Sequence, residues 1–346
     1  MLSAGNHERA YNFSHYAARF AMPGHGKRSH NHYYSLDIGG VHVVSYNGEA
    51  FFWPEYFDAG YMARMYDWIE ADLTQANDNR ERTPWIVVHA HRPMYCVVAD
   101  RQDPDWPAGK GFPPELRGRC GWEKESARRG VPSVCEKEYA LGCSPRSNED
   151  VAASYPGQIR NDPPISGGGA TSRAPLPRTT FDIEELLYRH GVDLFFSGHV
   201  HDYERYYPVY NEVVRNGTAI TFDRYFEPAA TVHITTGSGG NPEMKRKAPL
   251  GPERGPCQSS APWCAFQSGA FLHGRTADFT YSRITVHNGT TLEWEQVSAL
   301  EGIDTQVIDR FVIDTPVHGP FAVRFRDREE MLRRDGLERH PNLQQE

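Results

Sequence analysis

The chain lacks the features that would place it in several large functional classes. No 18-residue apolar stretch occurs in its 346 residues, which argues against a membrane-spanning helix. The start, MLSAGNHER, has no basic region followed by a long apolar segment, so it does not read as a secretory leader. A formal charge of −8 offers no general case for nucleic-acid binding, and Lys245-Arg246-Lys247 is a short basic run of the kind found in solvated loops. There is no GxSxG nucleophile elbow. PGHGKRS at 23–29 is not a phosphate loop, because Ala21 stands where GxxxxGK[ST] needs its first glycine. GSGGN at 237–241 lacks a nucleotide-fold context and reads as a turn. No internal repeat is evident.

Cysteine is sparse but even in number. The six are Cys96, Cys120, Cys135, Cys143, Cys257 and Cys264, none in compact zinc-finger spacing, and they permit three disulfides without fixing the pairing. Three N-glycosylation sequons begin at Asn12, Asn216 and Asn288. Cysteines and sequons together point to an oxidising, secretory environment. The amino terminus does not fit a complete secretory precursor. Either the chain is cytosolic, or sequence precedes it.

What is present is a core-forming chain, 39% hydrophobic. VHVVSY (41–46) alternates as a strand does, and YMARMYDWIEADL (61–73) places Tyr61, Met65, Trp68, Ile69 and Leu73 on one helical stripe. WIVVH opens another buried strand at 85, FDIEELLYRHG (181–191) is an amphipathic helix, and VDLFF follows as a strand. ATVHITTG and YSRITVHNGTTLEWEQV predict paired strands, with Asn288-Gly289 as a turn. Strands alternating with helices favour an α/β or layered α+β domain. Residues 99–180 are rich in Pro, Gly, Arg and polar residues and read as a long insertion. The highly charged end reads as a surface helix and tail.

Polar groups stand where the strands end: Asn6-His7, His89-Ala90-His91 and His199-Val200-His201. Imidazole nitrogens and an asparagine oxygen donate to divalent metals, and a strand end holds such donors on a rigid scaffold. The bland alternatives stay open. The histidines can be hydrogen-bonded surface groups, Asn6 a loop or cap residue, and His7 a partner of Glu8. Glu204 and Arg205 can steady the histidine loop or form an ion-paired surface turn. Tyr203, Tyr206 and Tyr207 can pack or wall a substrate cleft.

AGNHE (4–8), VVHAHRPMY (87–95) and GHVHDYER (198–205) together resemble three blocks of the purple acid phosphatases, and YSLDIGGVHVVSYNGE fits that family's strand pattern. The resemblance covers roughly residues 1–96 and 181–315. It implies an α+β, layered α/β/β/α metallophosphoesterase sandwich over residues 1–315, interrupted by an insertion at about 97–180, with a charged tail at 316–346. It also implies a dinuclear centre of Fe with Zn, Mn or Fe. Asn6, His91 and His199 would serve the second metal and His201 the first. His7 would orient phosphate or protonate the leaving group, and His89 would lie outside the ligand set. Glu204 and Arg205 would be supporting residues. Substrates would be small phosphate esters, hydrolysed as by an acid phosphatase, in a secreted or secretory-lumen protein.

The sequence departs from the family pattern in what lies before Asn6. The family's upstream Asp block, its bridging Asp and its iron-binding Tyr have no counterpart, and its further histidine is not evident after Tyr95. Asp100, Arg101 and Asp202 are no assured replacements. The expectation is an N-terminally truncated domain with incomplete metal binding and impaired turnover. Two alternatives are a non-catalytic metal- or protein-binding relative and a phosphodiesterase or nucleotidase.

Overall fold

A computed structural model describes residues 2–23, 31–53, 56–95, 181–201, 203–211, 213–240, 254–256, 263–268, 279–299 and 306–324. The insertion, the 23–29 segment beyond Pro23, the basic run at 245–247, Asp100, Arg101, Asp202, five of the six cysteines and the tail after 324 lie outside these residues.

Among the described residues there are three α-helices: α1 (Ser14–Arg19), α2 (Ala59–Asp78) and α3 (Ile183–Arg189). The strands of the first half are β1 (Tyr33–Ile38), β2 (Val41–Tyr46), β3 (Trp85–His89), β4 (Leu194–Ser197), β5 (Tyr203–Tyr206), β6 (Val209–Tyr210) and β7 (Val213–Val214). Those of the second are β8 (Ala219–Ile220), β9 (Arg224–Phe226), β10 (Val232–Thr236), β11 (Arg254–Pro256), β12 (Cys264–Ser268), β13 (Thr280–Val286), β14 (Thr291–Ser298) and β15 (Val307–Asp314). The helices and strands expected from periodicity are all found. Helix α2 extends beyond its apolar stripe, because Asp58 caps it by accepting the Tyr61 amide proton at 2.6 Å.

One sheet runs β1-β2-β3-β4-β10-β5-β12-β11 and a second runs β13-β14-β15-β9-β8. Strands β2, β3, β4 and β10 are mutually parallel. A parallel strand needs cover on both faces, and β3 shows how the sequence supplies it. Trp85 and Val87 join the core between the two sheets, while Ile86 and Val88 join the core beneath the helices. The helical core also takes Tyr61, Met65, Ile69 and Leu73 of α2, with Trp68 packed against its edge. The fold is therefore an α+β sandwich of helices, sheet and sheet. All the described helices contribute to the first core.

The readings of Glu204 and Arg205 need correction. Both are fully buried, so neither belongs to a surface turn. Nor does Arg205 brace the histidine loop. Its guanidinium pairs with Asp309 on β15, Nε to Oδ2 at 2.7 Å and Nη2 to Oδ1 at 3.0 Å, and Tyr203 Oη donates to the same carboxylate at 2.7 Å. These contacts clamp the first sheet to the second. Glu204 instead accepts from Tyr206. The aromatics after the loop are packing residues, with Tyr203 and Tyr206 buried.

The expected boundary at 315 does not end the packing. Arg324 is buried and reaches Asp193 Oδ1 and the Gly191 carbonyl, each at 3.3 Å. Asp193 also accepts from Arg80 at 2.8 Å and from the Ile86 amide at 2.9 Å. A charge at 324 that would be solvated in a tail thus pins this segment against the strand that leads toward the site.

Candidate metal centre

Four adjacent parallel strands aim their carboxyl ends at one edge, the place where open α/β sheets bind ligands. Past β2 lie Asn47 and Glu49. Past β3 lie His91 and Arg92. Past β4 lie His199 and His201, and past β10 lies Gly237. A fifth segment, the 3₁₀ turn Asn6–Arg9, comes from outside the sheet.

Backbone contacts lock these segments together. The Gly198 amide donates to the His91 carbonyl at 2.9 Å. His199 takes φ +62°, a left-handed conformation that costs a non-glycine residue about 1 kcal/mol or more. Two glycines make room. A Cβ on Gly5 would stand 2.8 Å from Cε1 of the His91 ring, and one on Gly237 would stand 1.8 Å from the Val200 carbonyl oxygen. The 3₁₀ turn thus lies directly on the imidazole, and the end of β10 lies directly under the histidine loop.

Side chains from three segments then converge. His91 Nε2 lies 3.0 Å from Asn6 Oδ1 and 3.1 Å from His199 Nδ1, with the two rings nearly edge to face at 5.0 Å. Burial pushes the His91 imidazole down to about 3, reinforced by His199, Arg92, His7 and His201 around it. It is a neutral lone-pair donor at any ordinary pH. His7 and His201 are near enough to act on His91 electrostatically, so all five expected residues belong to one locality. His7 is exposed. It is no partner of Glu8, whose carboxylate instead accepts the Gly5 amide proton at 2.7 Å. Asn6 is not the cap but the first residue of the turn. His89 stands apart as expected. It stacks on Phe196 at 5.1 Å, and burial lowers it to about 4.

Sequence reasoning missed the second layer. Arg92 donates Nη1 toward His199 Nε2 at 3.2 Å. The same guanidinium grips Glu49, Nε to Oε1 at 2.8 Å and Nη2 to Oε2 at 3.1 Å, and lies 4.0 Å over the Phe52 ring. Trp53 Nε1 donates to Glu49 at 2.9 Å, and Asn47 accepts the Glu49 amide proton at 3.0 Å. A carboxylate just past an apolar strand was the available signal. Its partner, 43 residues away, was not readable.

Known proteins match this chain in the same segments. A calcineurin-like phosphoesterase family model covers residues 1–123, and a model described as iron/zinc purple acid phosphatase-like protein C covers residues 230–310. Acid phosphatase type 7 of Danio rerio is 32% identical over 326 residues, spanning 94% of this chain and 55% of its own length. The Homo sapiens protein of the same name is 30% identical over 319 residues, spanning 92% and 53%.

The chain matches the purple acid phosphatase family in both segments.

A solved purple acid phosphatase from yellow lupin (Lupinus luteus) seeds is 20% identical and aligns with a TM-score of 0.47 over 87% of this chain and 35% of its own. The chain spans about half the length of the curated relatives it matches.

The family implies a dinuclear metal centre, and the donor set can be tested against one ion. Two donors each about 2.1 Å from an ion stand about 3 Å apart at a right angle, which is the spacing of Asn6 Oδ1 and His199 Nδ1 from His91 Nε2. The donors are neutral, and an ion held between them would displace the proton now shared by the two rings. Asn6 Oδ1 and His199 Nδ1 thus stand at co-ligand spacing from His91 Nε2; with Nδ1 on an ion the His199 proton would sit on Nε2, so the Arg92 contact at Nε2 belongs to the ion-free ring. Among the described residues no group of three or more His, Cys, Asp or Glu is spaced to hold an ion. The trio here is two imidazoles and a carboxamide.

Proposed function

We propose that this chain provides the phosphate-binding and metal-binding edge of a phosphomonoester hydrolase of the acid phosphatase type. The observation that carries the reading is the meeting of Asn6, His91 and His199, from three separate segments, within 3.1 Å. Asn6, His91 and His199 would hold one ion, and His201 would be a first donor to another. Bound divalent ions polarise phosphoryl oxygens and acidify water. Among the chain's own residues, Asn6 ligates without adding negative charge beside an anionic substrate. His91 stays neutral through burial. Arg92, neutralised by Glu49, packs its guanidinium beside the His199 ring. His7, exposed on the turn that carries Asn6, would give a proton to the leaving alcohol. Small phosphate esters are the substrate class.

The described residues bring no carboxylate to couple two ions, so weak, substoichiometric metal and low turnover are the expected behaviour of residues 1–346. That same inventory favours, as a second reading, a metal-binding relative without catalysis. Metal content and phosphomonoester turnover, measured together on wild type and His199→Ala, separate the two. The proposed function requires turnover that follows metal content and falls with His199→Ala. Metal bound through His199 without turnover supports the second reading. Wild-type metal content in His199→Ala refutes the site. Two tightly bound metals with robust activity would show that carboxylates outside the described residues complete the centre.

The same reading assigns the protein to a secretory compartment. Exposure of Asn12, Asn216 and Asn288 and the disulfide at Cys264 support it. No helix among the described residues is long and apolar enough to cross a membrane.

A further inference from the structure

The contacts around the centre form a closed ring. From Asn6 they pass to His91, His199, Arg92 and Glu49, then through the Trp53 indole N–H, and return to the first turn at Arg9, whose guanidinium lies 4.2 Å from the centroid of the Trp53 ring. In a 3₁₀ helix residues i and i+3 eclipse. Arg9 therefore stands above Asn6 on the same face of the turn, one turn further from the ion site.

Arg92 borders the site and Arg9 lies beyond Asn6 on the same turn, and the two guanidinium groups differ in what remains available. Arg92 is buried and its charge is matched by the Glu49 carboxylate. Arg9 is exposed, and among the described residues it has no carboxylate partner. Its neighbour Glu8 is engaged by the Gly5 amide. Stacking on Trp53 restricts the guanidinium without neutralising it or occupying its N–H donors. A planar cation held in this way on the rim suits a second carboxylate or phosphate.

We propose that Arg9 is a specificity-determining residue that selects ligands bearing a second anionic group beside the phosphoryl group. The assignment rests on the phosphoester reading for the identity of the first anion.

Phosphonates test this without requiring turnover. Phosphonoacetate carries a carboxylate, and propylphosphonate is a neutral-tailed partner of similar size. Binding of both to the metal-loaded full chain is measured by calorimetric titration. Wild type is expected to prefer phosphonoacetate. Arg9→Ala and Arg9→Gln should each lower that preference roughly ten-fold, the size of one charge-assisted contact, and Arg9→Lys should retain part of it. Arg283→Ala, exposed on β13 of the second sheet, tests for a general effect of charge. The inference is overturned by no preference in the wild type, by an unchanged preference in both Arg9 variants, or by an equal loss in Arg283→Ala. Absence of hydrolysis would refute the phosphoester reading and leave this binding result to stand or fall separately.

Discussion

Replacing Gly237 by alanine should disable the metal site without touching a ligand. The new Cβ would stand 1.8 Å from the Val200 carbonyl oxygen, 2.8 Å from its carbon and 3.3 Å from the His201 Cα. All three are backbone atoms, so no rotamer change relieves the contact. Either β10 retreats or the histidine loop rises, by more than an ångström. The loop has little room to comply, because Gly198 is bonded to the His91 carbonyl and His199 already sits at φ +62°. Overpacking of this kind costs about 1–3 kcal/mol. A ligand displacement of that size is worth on the order of 100-fold in a reaction that depends on position. Gly239→Ala is the matched control, since its Cβ would meet nothing within 4 Å. The assay is metal affinity by titration alongside thermal unfolding, with circular dichroism to verify the fold. Expected results are a loss of metal binding in Gly237→Ala with a melting temperature lower by several degrees, and wild-type behaviour in Gly239→Ala. If Gly237→Ala bound metal as wild type does, the close approach of β10 to the loop would be wrong.

Two further outcomes follow from the packing around the site. Glu49→Gln leaves the buried Arg92 charge without its counter-ion, and should destabilise the fold by about 3–5 kcal/mol while weakening metal binding through His199; urea unfolding and metal titration would check both, and an unchanged midpoint would contradict the buried pair. His42 lies between Asp37 at 2.7 Å and Asp72 at 2.9 Å, tying the β1–β2 hairpin to α2. Burial opposes its charge, but bonds to Asp72 and Asp37 outweigh burial and raise its pKa above the usual imidazole value. A raised folded-state pKa means that this clamp contributes fully below the unfolded value of about 6.5 and is lost as pH rises through the folded one. Wild type should therefore lose stability relative to His42→Ala between mildly acidic and alkaline pH, a trend that urea midpoints at several pH values would reveal; a constant difference would refute it. Asp37 is half exposed, which limits the size of the effect.

Periodicity made the secondary structure legible because burial leaves its mark every second or every third to fourth residue. The stripe in 61–73, the alternation in 41–46 and the apolar run at 85–88 each reflect one local face meeting one core. The three histidine and asparagine blocks were legible for a related reason: each is a short local signature at a strand exit. What the sequence could not decide was which polar groups meet. Glu204 and Arg205 follow the histidine loop directly, yet their backbone enters β5 and carries Arg205 to Asp309, 104 residues away. Arg324 looks like part of a solvated tail until Asp193 and the Gly191 carbonyl receive it. Glu49, Arg92 and Trp53 come to bear on His199 only because β2, β3 and β4 lie side by side and end at the same edge. Local pattern determined the elements and marked the candidate ligand blocks; the pairing of charges, the glycines that must stay bare and the seat of Arg9 on Trp53 were decided by contacts between segments distant in sequence, where no local pattern constrains the partner.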